Sequence, residues 1–261
     1  MTAFDFAGQM VVATGAGAGI GQGIARAFHG AGASVALGDV RQGTVERAAA
    51  QFGDRVFART MDVRDERSVK DFFAEAERAL GPATVVVANA GIYPNCPVLD
   101  MSVDEWDRVM DTNMRGVFLT CQAAARSMTA GGRPGKIITI SSGAYASGRI
   151  GAAHYCASKA GVVMFTKVLA MELAGQRINV NCIAPGYIKV DSGTSPVTPD
   201  YETAIMRNIP WGRAGTPQDI AQAALYLASP YADYVTGEVL SVNGGASAGR
   251  AYLPLSAPRP R

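Results

Sequence analysis

"MVVATGAGAGIGQGIARAFHGAG", residues 10–32, decides the fold. Its first five residues, Met10 to Thr14, are almost wholly apolar and have the length of a strand. "TGAGAGIG" (14–21) then sets glycines at 15, 19 and 21 between that strand and a helical stretch. Glycine lets the chain turn sharply and lets an anion approach the N–H groups at a helix N-terminus, where the helix dipole favours negative charge. The spacing is G-x-x-x-G-x-G, and the strict G-x-G-x-x-G fingerprint occurs in no register. Glycine clusters also serve as plain turns, so the neighbouring elements must decide.

Outward from this turn, short β-rich runs alternate with longer helical stretches. The strand candidates are 10–14, 34–39, 56–62, 84–90, 136–142, 178–185 and 238–244. Several are near-continuous apolar runs, as in strands covered on both faces. Strand and helix alternating in this way predicts an α/β fold, a doubly wound parallel sheet of about seven strands, in a single domain spanning 1–261. One segment departs from the rhythm. Residues 186–217 are polar, rich in turn formers and only briefly helical, and we expect a substrate lid at about 187–212.

The second strand ends at Asp39, 20 residues after Gly19. A carboxylate there can accept hydrogen bonds from adenosine ribose hydroxyls and repels a 2′-phosphate. Ala18 inside the turn offers no cation, whereas Arg41 lies close enough in sequence to neutralise a phosphate. The balance favours NAD over NADP. Asp62, closing the third strand, is a candidate for the adenine amino group. Asn89, Ala90 and Gly91 close the fourth strand with small residues that suit close backbone approach to a cofactor.

The chain has 261 residues, 48% of them hydrophobic, with 24 Lys and Arg against 22 Asp and Glu. That near-neutral balance supports no nucleic-acid or membrane-surface partner. The four cysteines are widely spaced without a CxxC pair, so no metal is expected and a reduced, cytoplasmic chain is. "MTAFDFAGQM" lacks the pattern of a secretory signal. "GGRPGKI" (131–137) lacks the P-loop spacing, and no G-x-S-x-G is present.

"HYCASKAG" (154–161) sets Tyr155 and Lys159 four residues apart, on one helix face. An ammonium near a phenol favours the phenolate and lowers its pKa. Tyr155 is then a candidate general acid or base for interconverting a carbonyl and an alcohol.

Six motifs occur in one order: "TGAGAGIG", "NAG" (89–91), Asn113 in "DTNMRGVF", "ISS" (140–142), "YCASK" (155–159) and "PGYI" (185–188). In these the chain resembles the short-chain dehydrogenase/reductase family, over about Gly8 to Gly245. The resemblance implies a catalytic set of Asn113, Ser142, Tyr155 and Lys159. In it Ser142, rather than Ser141, holds the substrate oxygen, Lys159 also holds the nicotinamide ribose, and Asn113 holds a water that links Lys159 to solvent. The implied cofactor site takes in Gly15, Gly19, Ile20, Gly21, Asp39, Asp62, Val63, Asn89, Ala90, Gly91, Tyr155, Lys159, Pro185, Gly186 and Ile188, the last through backbone contact with the carboxamide. Val190 stands where the family often has Thr, leaving that hydrogen bond to Asp191 or Ser192. Asn243 stands where Asp is common, a change expected to affect packing.

The polar lid, with Tyr93, Asn95, Ala144, Tyr145, His154 and Tyr187 as candidate rim residues, favours a small polyol or sugar-derived alcohol. The alternative is a 3-oxoacyl-thioester reductase using NADPH. An alternative of another class is a non-catalytic NAD-binding regulatory protein. The resemblance also implies a homotetramer, with the long helical segments 102–129 and 152–175 pairing across a two-fold axis. The apolar "AYLPL" in the tail, about 246–261, is expected to dock, onto a neighbouring subunit or over its active site.

Overall fold

Strand β1 (Met10–Thr14) is buried at every position, because successive side chains point to opposite faces of the sheet and both faces are covered. Val11 and Ala13 face one apolar cluster, and Met10 and Val12 face the other. Its partners are β2 (Ser34–Asp39), β3 (Val56–Thr60), β4 (Val85–Ala88), β5 (Gly135–Ile140), β6 (Ile178–Pro185) and β7 (Val239–Val242). The computed structural model describes residues 4–190 and 198–249. In it the seven strands form one parallel sheet in the order β3-β2-β1-β4-β5-β6-β7.

The helices are α1 (Gly19–Gly30), α2 (Gln42–Ala49), α3 (Glu66–Leu80), α4 (Val103–Met110), α5 (Gly116–Ala130), α6 (Ala153–Leu173), α7 (Pro199–Met206) and α8 (Pro217–Ala228). Ile24 and Phe28 of α1 pack with Ile220 and Leu225 of α8 on one face of the sheet. Phe72 of α3, Met128 of α5 and Val162 of α6 pack on the other. Each such side chain contributes about 1.5–3 kcal/mol through burial. This is the doubly wound α/β architecture expected from the alternating pattern.

The chain runs from β1 outward to β3, then returns to place β4 on the other side of β1. The strand order therefore reverses between β1 and β4, and their carboxyl ends open on a crevice, the usual ligand site of such sheets.

Several boundaries differ from expectation. β3, β4, β5 and β7 end two residues earlier than the apolar runs suggest. Asp62, Asn89, Ala90, Ser141 and Ser142 thus lie just beyond the ladders, on the crevice rim, where backbone pairing no longer dictates their direction. Segment 102–129 is one helical path interrupted by a single π-type turn, Asp111–Arg115. The region 186–217 contains α7, opened by Pro199 and capped by Thr198, whose hydroxyl accepts from Tyr201 N–H. Asp191 and Ser192, and the tail from residue 250 onward, lie outside the described residues.

Candidate active site

The glycine turn is braced from β4. The Thr14 hydroxyl accepts from the N–H groups of Asn89 and Ala90, both at 3.0 Å. The Asn89 amide donates to the carbonyls of Thr14 (2.8 Å) and Gly15 (3.3 Å). Asn89 thus positions the turn with its side chain. Gly21 is required sterically: a Cβ there would lie 2.4 Å from the Gly15 oxygen.

Helix α1 starts after Ala18, with no side-chain cap and no acidic residue in its first turn. Helices α3, α4, α7 and α8 are all capped, by Asp65, Ser102, Thr198 and Thr216. The first N–H groups of α1 therefore lack the side-chain acceptor those helices have, at the positive end of a dipole. Above them the site is open: a Cβ on Gly19 (φ +59°) would meet only Val190, at 3.5 Å. A dinucleotide's diphosphate fits this cradle. A Gly21→Ala variant is expected to lose about 1–3 kcal/mol of stability, as overpacking does, and to weaken dinucleotide binding. Thermal unfolding and a fluorescence titration with NADH check both; unchanged values would show that the turn adapts freely.

Asp39 is buried at the end of β2, its carboxylate accepting from the N–H groups of Gly17 (3.1 Å) and Arg41 (3.0 Å). The Arg41 guanidinium stands 3.5 Å away and is half exposed. Asp62 is held by Arg64 through paired hydrogen bonds at 3.0 and 2.7 Å, which lower its pKa. Val63 is buried against Gly116 at the head of α5. The side chains of Ile20 and Ile188 pack onto the core, leaving their backbones to the crevice. Pro185 ends β6, and Gly186 permits close approach of Asn243, where a Cβ would meet Asn243 Cβ at 2.7 Å. Asn243 accepts from Gly245 N–H and donates to Ser247, a packing role as expected.

On the other side of the crevice, α6 carries Tyr155 and Lys159 on one face, with Lys159 Nζ 5.8 Å from the Tyr155 ring centre. Lys159 is buried and donates to the Ile140 carbonyl at 2.8 Å. It also lies 3.5 Å from where a Cβ on Gly91 would stand, so glycine makes room for it. Ser141 is buried and donates to the Lys159 carbonyl. The Ser142 hydroxyl accepts from Ala144 N–H at 3.2 Å, and its hydrogen bond with the Tyr155 phenol draws that phenol's pKa down. Ser141 is thus committed to the backbone of α6, and Ser142 lies beside Tyr155.

Asn113 is fully buried in the π-type turn, a distortion often found at functional sites. Its amide oxygen accepts from Ile92 N–H and its nitrogen donates to the Ile92 carbonyl, both at 2.8 Å, and to Ser158 at 3.2 Å. The side chain is committed to holding the backbone beside Lys159.

Two expectations need correction. Burial pushes the Tyr155 phenol above its ordinary range, although Ser142 and the charge of Arg149 pull it back. Burial also draws Lys159 down to about 8, weakening its hold on a proton. The second correction concerns His154, which does not line a pocket. It is fully buried, its Nδ1 accepting from Tyr155 N–H (2.8 Å) and its Nε2 lying 3.3 Å from Glu105. It fastens the start of α6 to α4.

Sequence reading missed Arg149, Ser158 and Tyr201. Arg149 lies with its guanidinium carbon 5.7 Å from the Tyr155 ring centre and donates to Asn95 and Tyr201, each at 3.1 Å. Tyr93 meets the Tyr155 ring edge-on at 6.4 Å. Arg149 lies in a loop and Tyr201 on α7, outside any motif, while Ser158 sits inside the "YCASK" motif with nothing in the spacing to single it out. Among the described residues no cluster of His, Cys, Asp and Glu suits a metal, and no helix is long and apolar enough to cross a membrane.

The family profile described as Enoyl-(Acyl carrier protein) reductase matches residues 15–247. The 3-oxoacyl-[acyl-carrier-protein] reductase FabG of Chlamydia pneumoniae is 38% identical over 242 residues, covering 91% of this chain and 96% of that protein. The crystal structure of a short-chain type dehydrogenase/reductase from Mycobacterium marinum superposes with a TM-score of 0.89 at 37% identity, covering 94% of this chain and 98% of that one. A structure from Agrobacterium tumefaciens, provisionally described as a 2-deoxy-D-gluconate 3-dehydrogenase and holding NADP, superposes with a TM-score of 0.85 at 38% identity, covering 94% and 99%. With its glycine cradle, its Ser142, Tyr155 and Lys159 cluster and these likenesses along nearly its whole length, the chain belongs to the short-chain dehydrogenase/reductase family of nicotinamide-dependent oxidoreductases.

Proposed function

We propose that the protein is an NAD(H)-dependent oxidoreductase that interconverts a secondary alcohol and a ketone, acting on a small polyol or sugar-derived alcohol. The observation that carries the reading is the meeting of Ser142, Tyr155 and Lys159 across the crevice from the uncapped end of α1. The nicotinamide, when bound, accepts or supplies the hydride. Ser142 donates a hydrogen bond to the substrate oxygen. Tyr155 takes the hydroxyl proton in oxidation and returns it to the carbonyl oxygen in reduction. Lys159 holds the nicotinamide ribose and passes the proton onward; Asn113 keeps the backbone beside it in place. These donors stand ready before charge develops on the oxygen.

Asp39 supports NAD, since its buried carboxylate meets a ribose hydroxyl well and a 2′-phosphate badly. Asp62 and Val63 would border the adenine, and Asn89, Ala90, Gly91, Pro185, Gly186 and Ile188 the nicotinamide half. The polar rim of Asn95, Arg149 and Tyr201 favours a hydroxylated substrate, as does the description of the Agrobacterium neighbour. We place the active form in the cytoplasm as a homotetramer, a reading supported by Phe118, Met164, Val168 and Met171, exposed on α5 and α6.

The second reading is 3-oxoacyl-thioester reduction with NADPH. The Chlamydia relative favours it, as do the NADP of the Agrobacterium structure and Arg41 beside Asp39. Absorbance at 340 nm decides. NADH formation from a polyol at alkaline pH, with NADP several-fold poorer, is the expected result. Turnover only of an oxoacyl thioester with NADPH would replace the first reading by the second.

A further inference from the structure

Arg149 stands on the short connection between β5 and α6, six residues before Tyr155. That connection is anchored: Cys96 N–H donates to the Gly151 carbonyl at 2.8 Å, joining it to the segment after β4. The guanidinium spans three parts of the crevice at once. It reaches Asn95 on one side and Tyr201 of α7 on the other, and it lies against the Tyr155 ring. Both hydrogen-bond partners are neutral.

The described residues offer it no counter-ion: no carboxylate among them lies within ion-pair distance of Arg149. Glu105 of α4 is engaged with His154 and Glu202 of α7 with Lys189. The Arg149 Nε is shielded from solvent and has no acceptor among the described residues. A half-buried cation with an unmet donor carries a desolvation cost. That cost is recovered when the missing anion arrives with a ligand, and a guanidinium fork suits a carboxylate above other anions of that size.

We infer that Arg149 binds a carboxylate of the substrate, so that the secondary alcohol oxidised at Tyr155 is a hydroxy acid and its product a keto acid. This rests on the alcohol dehydrogenase reading and names its substrate class. The same positive charge pulls the Tyr155 phenol down, so a bound carboxylate also moderates the proton acceptor. The carboxylate and the reacting carbon are separated by only a short chain, because Arg149 and Tyr155 are in contact.

The test compares a polyhydroxy acid with its own neutral amide, which keeps the same carbinol. With NAD, kcat/KM is expected to favour the acid by about 10- to 100-fold, the worth of one charge-assisted hydrogen-bonding pair. In Arg149→Gln the ratio falls to near one, and Arg149→Lys restores part of it. A readout independent of turnover is the thermal shift of the cofactor-free protein, which the acid raises in the wild type and not in Arg149→Gln, and which the amide raises in neither. Equal use of acid and amide by the wild type overturns the proposal and leaves the alcohol dehydrogenase reading intact. So does a loss in Arg149→Gln that falls equally on both substrates. Reduction of an oxoacyl thioester with NADPH, and no alcohol oxidised with NAD, overturns that underlying reading and this proposal with it.

Discussion

Tyr155→Phe is expected to lower kcat on the order of 10³-fold while leaving the fold and the affinity for NADH unchanged. Proton transfer by a positioned side chain is worth about 10²–10⁴-fold, and the variant removes only the hydroxyl that carries the proton. The ring remains to pack against Tyr93 and Arg149. The pH profile supplies a second signature. Burial raises the phenol, so in the wild type oxidation rises with pH as phenolate forms, and reduction falls over the same range. The residual activity of the variant should be insensitive to pH there. Stopped assays at 340 nm, a fluorescence titration with NADH and a melting curve measure all of this. Wild-type turnover in the variant would remove Tyr155 from the proton path, whereas NADH binding without turnover in the wild type itself would mark a non-catalytic NAD-binding regulatory protein.

Lys159→Met is expected to abolish measurable turnover and to make the protein more stable at neutral pH. The amine titrates at about 8 in the folded chain against 10.5 when exposed. Between those values the unfolded chain holds a proton that the native state lacks, so stability rises with pH from about 8 to 10.5. Below pH 8 the native state carries the full penalty of about 3 kcal/mol, since each pH unit separating the two values is worth about 1.4 kcal/mol. Methionine fills similar space without charge. The lost hydrogen bond to the Ile140 carbonyl returns about 1 kcal/mol of that gain. A net increase of about 1–2 kcal/mol at pH 7 should shrink toward zero, then reverse, as pH approaches about 10. Urea unfolding at neutral and at alkaline pH reads the difference. A variant less stable at both would mean that the ammonium is well solvated or well paired in the native state. The penalty is the kind of strain active sites retain because function requires it.

The sheet was legible from residue 10 onward because parallel strands buried on both faces must be apolar throughout, and glycine turns and helical periods separate them. Tyr155, Lys159 and Ser142 were legible because their spacing and order survive in one dimension. Asn113 was recognisable as a motif member, but not as the buried clamp on Ile92 that it is. His154 was misread as a pocket residue because sequence does not say that its ring turns back to accept from Tyr155 N–H. The direction in which the Tyr155 phenol is displaced was misread for a related reason: one helical turn sets the distance to Lys159, whereas the degree of burial sets the sign.

The sequence by itself determined the doubly wound fold, the dinucleotide cradle and the family's chemistry, since each rests on local pattern: apolar runs, glycines at a strand-to-helix turn, residues one helical turn apart. Only the tertiary structure decided that Ser141 is tied to the backbone of α6, where Asn113 spends its amide, and that Arg149 reaches Asn95 and Tyr201 together. Those outcomes depend on groups 18 to 54 residues apart in sequence, brought within hydrogen-bond reach by packing around the carboxyl ends of β4, β5 and β6, and no one-dimensional spacing encodes them.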